Sequence, residues 1–436
     1  MAPSKTFVGF GFGPIQSGLF LLEAQASGNF RRYVVSEIDT PLVEALRSNA
    51  DRCTVNVAKQ DGIVHRELDA VELYNPLVPA GRKALVEAIA EADEMATALP
   101  SVNTYASGGG NSVLSLLADG LGRRQPGHPA IVYTAENNNR AAEILARGLA
   151  EKLEGCIPRG FQALDTVIGK MSGVIHGHAL MEGLGLQPVV PGMDRAILVE
   201  EFNRILVSRV RLEGFERGIR IFEEKEDLDP FEEAKLYGHN AIHALMGYLA
   251  ALRGYTTIAE AGRDKLLVET ARKAFHKESG AGLVRKYRNL GDQLFTPEGF
   301  SVYAEDLLER MVCPYLHDLV ERVARDPVRK LGWHDRLYGT IRIALAQDVE
   351  PDLLAMGAAA GLVHLLRSDE DRKKVGLPAV KTNQPIVMNR EETRDILLRI
   401  WQPDSPAPDE ADALAGRTAQ AMERLRTDGW LPDIFQ

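Results

Sequence analysis

Phe7-Val8-Gly9-Phe10-Gly11-Phe12-Gly13-Pro14-Ile15-Gln16-Ser17-Gly18, near the start of the chain, passes from apolar residues through glycines into a helical pattern. Residues 6–10 read as a strand and 15–26 carry helical periodicity. A glycine turn between a strand and a helix suits a dinucleotide. One glycine makes the tight turn, the next lets backbone approach the pyrophosphate, and the helix N-terminus faces its charge. Gly11 and Gly13 take the first two positions, Pro14 suits the first helical turn, and Ile15 and Gln16 complete the loop. Gln16 stands where the pattern has Gly or Ala, and Gly18 is the residue left to relieve crowding of helix on strand. A second strand at 33–35 ends at Ser36-Glu37. A carboxylate about 20 residues after the loop accepts hydrogen bonds from the adenosine ribose and repels a 2′-phosphate. The expected cofactor is NAD, while Arg31 and Arg32 are near enough in sequence to keep NADP open.

Further strand-like runs lie within 91–99 and at 130–134 (AIVYT), with helical patterns between. This alternation predicts an α/β, Rossmann-like N-terminal domain with a mostly parallel sheet over 1–200. Gly108-Gly109-Gly110 reads as a loop, either a flexible connection or a ligand grip. From about residue 196 helical runs dominate: 198–210, 231–252, 264–276, 297–310, 353–366 and 390–401. They predict an all-α C-terminal domain over 201–400. Residues 401–436 read as a linker (PDSPAPDEAD, 403–412) and a terminal amphipathic helix near 413–426.

The 436 residues carry 61 acidic against 51 basic side chains, a net charge of −10 that offers no bulk attraction to nucleic acid or anionic lipid. No apolar run is long enough to span a membrane. Cys53, Cys156 and Cys313 are widely separated and read as free thiols in a reducing compartment, so the cytoplasm is expected. His176-Gly177-His178 lacks a third ligand nearby, so no metal site is expected. The oligomeric state is left open, a monomer included.

The second informative stretch is Asp229-Pro230-Phe231-Glu232-Glu233-Ala234-Lys235-Leu236-Tyr237-Gly238-His239-Asn240-Ala241-Ile242-His243-Ala244-Leu245. Asp229 can cap, Pro230 suits N1 and Glu232 sits at N3. Residues 244–252 are almost wholly apolar, so this helix is buried. At about 100° per residue, Asn240 lies about 140° from Lys235, with His243 between them. All three can face one cleft. A desolvated lysine there acts as a general base, and a carboxamide stabilises developing charge on oxygen. The same spacing also fits a snorkelling lysine beside two satisfied core polar residues.

Lys235-x4-Asn240-x2-His243 resembles the signature of the polyol-specific long-chain dehydrogenases. Other stretches agree in order: 256–258 (TTI), 278–281 (ESGA), 314–316 (PYL), 320–323 (VERV), 325–331 (RDPVRKL) with 335–337 (DRL), and 135–137 (AEN). The resemblance covers roughly residues 6–370. It implies Lys235 as general base, Asn137 and Asn240 polarising the reacting oxygen, and His243 binding substrate. Thr97 and Glu136 would approach NAD, and the family uses no metal. Arg329, Lys330 and Arg336, with Arg310, would bind a small polyol or polyol phosphate such as mannitol 1-phosphate. From charge spacing alone the basic cluster is equally a solvated surface.

Two stretches depart from the family. Val167-Ile168-Gly169-Lys170 stands where Val-Asp-Arg-Ile is common, and Arg310-Met311-Val312-Cys313-Pro314 where Arg-Phe-x-Asn-Pro is common. Both lie near substrate in relatives. A free-polyol or hexuronate oxidoreductase of the same family is therefore an open alternative. So is a catalytically inactive NAD-binding sensor or scaffold, which the intact Lys-Asn-His set opposes.

Overall fold

The computed structural model describes residues 4–378 and 389–430, which form parts of two compact units, Met1–Asp229 and Pro230–Gln436. Among the described residues the first unit has twelve strands: β1 Lys5–Phe10, β2 Phe30–Ser36, β3 Cys53–Lys59, β4 Gly62–Leu68, β5 Val71–Tyr74, β6 Glu94–Thr97, β7 Ala130–Thr134, β8 Phe161–Val167, β9 Ser172–His176, β10 Arg195–Glu200, β11 Leu206–Ser208 and β12 Glu223–Lys225. Eight form a sheet in the order β12-β11-β8-β7-β6-β1-β2-β5. All its pairings are parallel except β11 with β8. Its inner strands are continuous apolar runs because both faces are covered: every residue of β7 is buried, as are Phe7, Val8 and Phe10 of β1. In register, Phe10 pairs with Ser36 on one side and with Thr97 on the other. The glycine turn, Glu37 and Ala98 thus leave the sheet side by side. At β1 the chain order reverses direction across the sheet, which is where such sheets bind ligands.

The other four strands form a small sheet, β4-β3-β10-β9. Its β10, with β11, corrects the helix expected over 198–210. A short apolar run such as Ile197-Leu198-Val199 reads equally as buried helix or buried strand. Residues 201–229, assigned by sequence to the helical half, belong to the first unit. Glu94 of β6 ties them there. Its buried carboxylate accepts the Gly218 and Ile219 amides and the Tyr133 hydroxyl (2.9 Å). The departure at 167–170 is structural too: Ile168 is buried in the core and Lys170 donates to the Glu200 and Phe202 carbonyls at the end of β10.

The second unit is helical among its described residues. The Asn240–Leu252 helix is buried along most of its length. Glycines let its neighbours approach. A Cβ at Gly357 would lie 3.0 Å from Leu245, and one at Gly247 only 2.5 Å from Val323. Among the described residues of the tail, the helix expected near 413–426 is present and starts earlier. It spans Pro408–Thr427, starting inside the stretch read as linker because Pro408 occupies its first turn. Trp401 is fully buried, its Nε1 donating to the Leu331 carbonyl at 2.9 Å and its ring against Trp333 and Tyr338. Among the described residues no helix is long and apolar enough to cross a membrane.

Candidate active site

In the first unit the glycine turn forms one wall of a cavity of about 650 Å³. Gly11, Gly13, Pro14, Ile15 and Glu37 line it. Gly11 has φ +80°, and a Cβ there would lie 2.9 Å from the Ala98 carbonyl oxygen. A Cβ at Gly13 would meet nothing within 4 Å, so bare backbone faces open space just before a helix begins. This is the cradle a pyrophosphate needs. The Glu37 carboxylate is fixed beside it, accepting the Phe12 amide at 2.7 Å and the Asp39 amide at 2.9 Å. The 108–110 glycines make a turn next to the cavity, which Ser107 and Asn111 line and the glycines do not.

Gln16 does not line the cavity. It is fully buried at the start of a π-helical stretch, Gln16–Leu21, with its carboxamide against Gly9. A Cβ at Gly9 would come within 2.5 Å of Gln16 Nε2, so the strand gives up its side chain to admit the glutamine on the helix. Gly18 does permit a close approach, but to Val199 of the small sheet, not to β1. Thr97 and Glu136 are likewise buried and absent from the lining. Glu136 accepts the Thr97 hydroxyl at 2.8 Å, the Leu99 amide at 2.9 Å and the Tyr105 hydroxyl. It supports the 98–100 strip, which does line the cavity. Burial and the adjacent Glu136 raise the Tyr105 pKa, keeping that phenol a donor. Asn137 follows at an exposed position.

In the second unit, Lys235 lies in a second π-helical stretch, Ala234–His239, and the Asn240 amide donates to the Lys235 carbonyl. An i→i+5 turn sets residues five apart nearly one above the other, closer than the 140° expected of a plain α-helix. The Tyr237 carbonyl inside this turn accepts the Ser279 hydroxyl (2.8 Å) and lies 3.0 Å from the Thr340 hydroxyl, whose one proton it shares with the Arg336 carbonyl, and both side chains reach in from other helices. Ser279→Ala combined with Thr340→Val should relax the turn. We expect turnover to fall about tenfold and stability by about 1–3 kcal/mol, since a buried carbonyl loses partners. The pH inflection of turnover should also rise toward that of ordinary lysine. An inflection equal to wild type would show that the two hydroxyls do not set the turn.

The surrounding protein pushes the Lys235 pKa down to about 8. Burial is the main cause, Glu232 opposes it and Arg336 adds to it. His243 Nε2 is 2.8 Å from Asp318 Oδ2, and Arg322 Nη2 is 2.7 Å from Asp318 Oδ1. Burial alone would raise the Asp318 pKa, but His243 and Arg322 outweigh it and hold it at about 2. With Nε2 turned to this carboxylate, Nδ1 is the ring nitrogen left for another partner. Asp318 escaped the sequence reading because 75 residues separate it from His243. His239 was also missed, although it stands one helical turn before His243. It is buried with its ring centroid 6.0 Å from that of His243. Burial, then His243, Arg310, Lys235 and Arg336, depress its pKa well below the usual value.

The expected basic cluster divides. Arg310 and Arg336 both act on His239, and Arg336 also on Lys235. Each is largely buried, with its Nε on a carboxylate: Asp306 at 2.9 Å for Arg310 and Asp335 at 2.8 Å for Arg336. Arg329 is half exposed and paired with both Asp326 (2.7 Å) and Asp335 (3.3 Å). Lys330 is buried and donates to the Val323 carbonyl. Burial, then Arg336 and Arg329, press its pKa to about 7. Lys330 thus turns its ammonium to the backbone, and Arg329 turns its guanidinium to two carboxylates. Among the described residues no three His, Cys, Asp or Glu side chains are grouped to hold a metal.

Residues 227–424 match the family profile of the mannitol dehydrogenase C-terminal domain. The mannitol-1-phosphate 5-dehydrogenase of Lactiplantibacillus plantarum is 28% identical over 400 residues, 89% of this chain and 94% of its own length. That of Halalkalibacterium halodurans is 30% identical over 269 residues, 60% of this chain and 66% of the relative. Two solved structures share the fold at low identity. Pseudomonas fluorescens mannitol 2-dehydrogenase, in ternary complex with NAD and D-mannitol, gives a TM-score of 0.67 at 17% identity, covering 98% of this chain and 92% of that one. A substrate-free D-sorbitol dehydrogenase gives 0.73 at 14%, covering 98% and 94%. With the Lys-Asn-His helix inside the matched region, the chain belongs to the mannitol dehydrogenase family of polyol-specific dehydrogenases.

Proposed function

We propose that this protein interconverts a polyol, in the form of its phosphate, and the matching ketose, with NAD as cofactor and mannitol 1-phosphate as the leading substrate. One observation carries the reading: a lysine brought to a pKa of about 8, on one helix with Asn240 and His243 and beside the Arg336 guanidinium. Gly11, Gly13, Pro14, Ile15 and Glu37 would hold NAD, which when bound supplies the acceptor for the hydride. Neutral Lys235 takes the proton of the substrate hydroxyl at Nζ as its carbon gives up hydride. The Asn240 carboxamide donates to the oxygen as charge develops. His243, fixed by Asp318, accepts from a neighbouring hydroxyl. Arg310 and Arg336 meet the phosphate. The family resemblance assigns Asn137 a polarising role like that of Asn240. Lone thiols and a cofactor of central metabolism suit a cytoplasmic setting.

The test is a panel of polyols and polyol phosphates with NAD, read by the absorbance of the reduced cofactor. Turnover of a polyol phosphate, at a higher kcat/KM than its free counterpart, is the expected result. NAD binding with no turnover of any substrate would instead favour a sensor.

A further inference from the structure

The cavity beside the glycine turn contains a cation far from that turn in sequence. Arg195 opens β10 of the small sheet, and its side chain lines the cavity with Glu37 and Ile38. Arg195 Nη1 donates to Asp39 Oδ2 at 3.0 Å. Its Nη2 is out of reach of water and has no hydrogen-bond partner. Such a donor favours a small turn of the guanidinium toward any acceptor brought into the cavity. Asp39 links the acid to the cation. Its amide donates to Glu37 Oε1 at 2.9 Å, and its Oδ1 caps the Thr40–Ser48 helix through the Leu42 amide. The arginines closer in sequence to Glu37 stand elsewhere. Arg31 is exposed, Arg32 is engaged by Glu72 and Glu91, and neither lines the cavity.

We propose that the Asp39–Arg195 pair sets which dinucleotide this site takes. Arg195 donates to the adenosine ribose, and Asp39 holds it back from a 2′-phosphate. The proposal rests on the dinucleotide reading of the cavity and is independent of the polyol chemistry. Asp39 pairs with the guanidinium from behind the lining, and Glu37 lines the same cavity, so two acids stand against one cation at this end and its net charge is negative. That charge repels a phosphate and leaves NAD preferred. Without the Asp39 charge the guanidinium fork is released, and a planar fork is the natural partner of a phosphate.

The test measures binding of NADH and NADPH to the intact chain, without polyol, by fluorescence of the bound dinucleotide. Asp39→Asn keeps the helix cap, because asparagine caps as well as aspartate. It should tighten NADPH by about tenfold, the worth of one good charged contact, with NADH changed by less than about threefold. Arg195→Met keeps the apolar stem and should weaken NADPH more than NADH, widening the preference by about fivefold or more. Arg195→Lys keeps the charge and serves if the methionine variant has no melting transition. It should hold the NADH-to-NADPH preference within about twofold of wild type. If Asp39→Asn and Arg195→Met both leave that preference within about twofold, the pair does not set it, and where the methionine variant has no melting transition an unchanged preference in Asp39→Asn alone overturns the proposal. Wild type binding neither dinucleotide would overturn the cofactor reading and this proposal with it. Binding without turnover of any polyol would overturn only the assigned activity.

Discussion

Lys235→Ala should lower kcat for polyol oxidation about 10³-fold, within the range of lost general-base catalysis, or about 4 kcal/mol of barrier. NADH should bind unchanged, because the residues lining the dinucleotide cavity all belong to the first unit. The pH profile is the sharper readout. A base must be neutral to accept a proton. With a pKa of about 8 in place of 10.5, roughly a tenth of Lys235 is neutral at pH 7, against one in a few thousand for an ordinary lysine. Oxidation by the wild type should climb about tenfold per pH unit below about 8 and level off above it. Ketose reduction needs the protonated form, so it should decline as pH rises through the same value. The alanine variant should lose this inflection, and added primary amines should restore part of the rate. Retention of the inflection near 8 in the alanine variant would assign it to another group and remove Lys235 as base.

The sheet was legible because its signals are local. A strand, a glycine turn, a helix and an acid at the next strand end all lie within residues 5–37. The helical half was legible for the same reason, since long amphipathic runs with proline at their starts announce themselves. What escaped depends on partners distant in sequence. Residues 201–229 join the first unit through Glu94, which lies more than 120 residues from Gly218. The exchange between Gly9 and Gln16 is visible only once helix and strand are packed, because either residue alone looks like a lapse from the motif. The helix with Lys235, Asn240 and His243 was read from its cap and its apolar run, and the family resemblance singled the three residues out where spacing alone left them open, but the π turn was not foreseen. No residue type encodes that turn. It is held by hydroxyls from Ser279 and Thr340, 42 and 103 residues away. The basic stretch 325–336 shows the opposite limit. Arginine and lysine look alike as charges in a sequence, and only burial and pairing separate Arg336 from Lys330 and Arg329.

Arg336→Ala should lower kcat/KM for the polyol phosphate about 30- to 100-fold and for the free polyol far less. A charged hydrogen bond between guanidinium and phosphate is worth about 1.5–3 kcal/mol, and a hydroxyl at the same place gains only a fraction of that. The substitution has a second consequence of calculable sign. Arg336 is one of the charges that lower the Lys235 pKa, so its removal should move the inflection of oxidation upward from about 8. The loss should therefore be larger at pH 7 than at pH 9.5, where Lys235 is neutral in both proteins. Arg329→Ala is the matched control. Its guanidinium lies between Asp326 and Asp335, so kcat/KM for either substrate should change by less than about threefold, as for an exposed ion pair. Equal losses for phosphorylated and free polyol in Arg336→Ala would take the phosphate away from Arg336, leaving it only a part in tuning Lys235. A loss in Arg329→Ala matching that of Arg336→Ala would restore the outer cluster as the phosphate site, despite its two carboxylate partners.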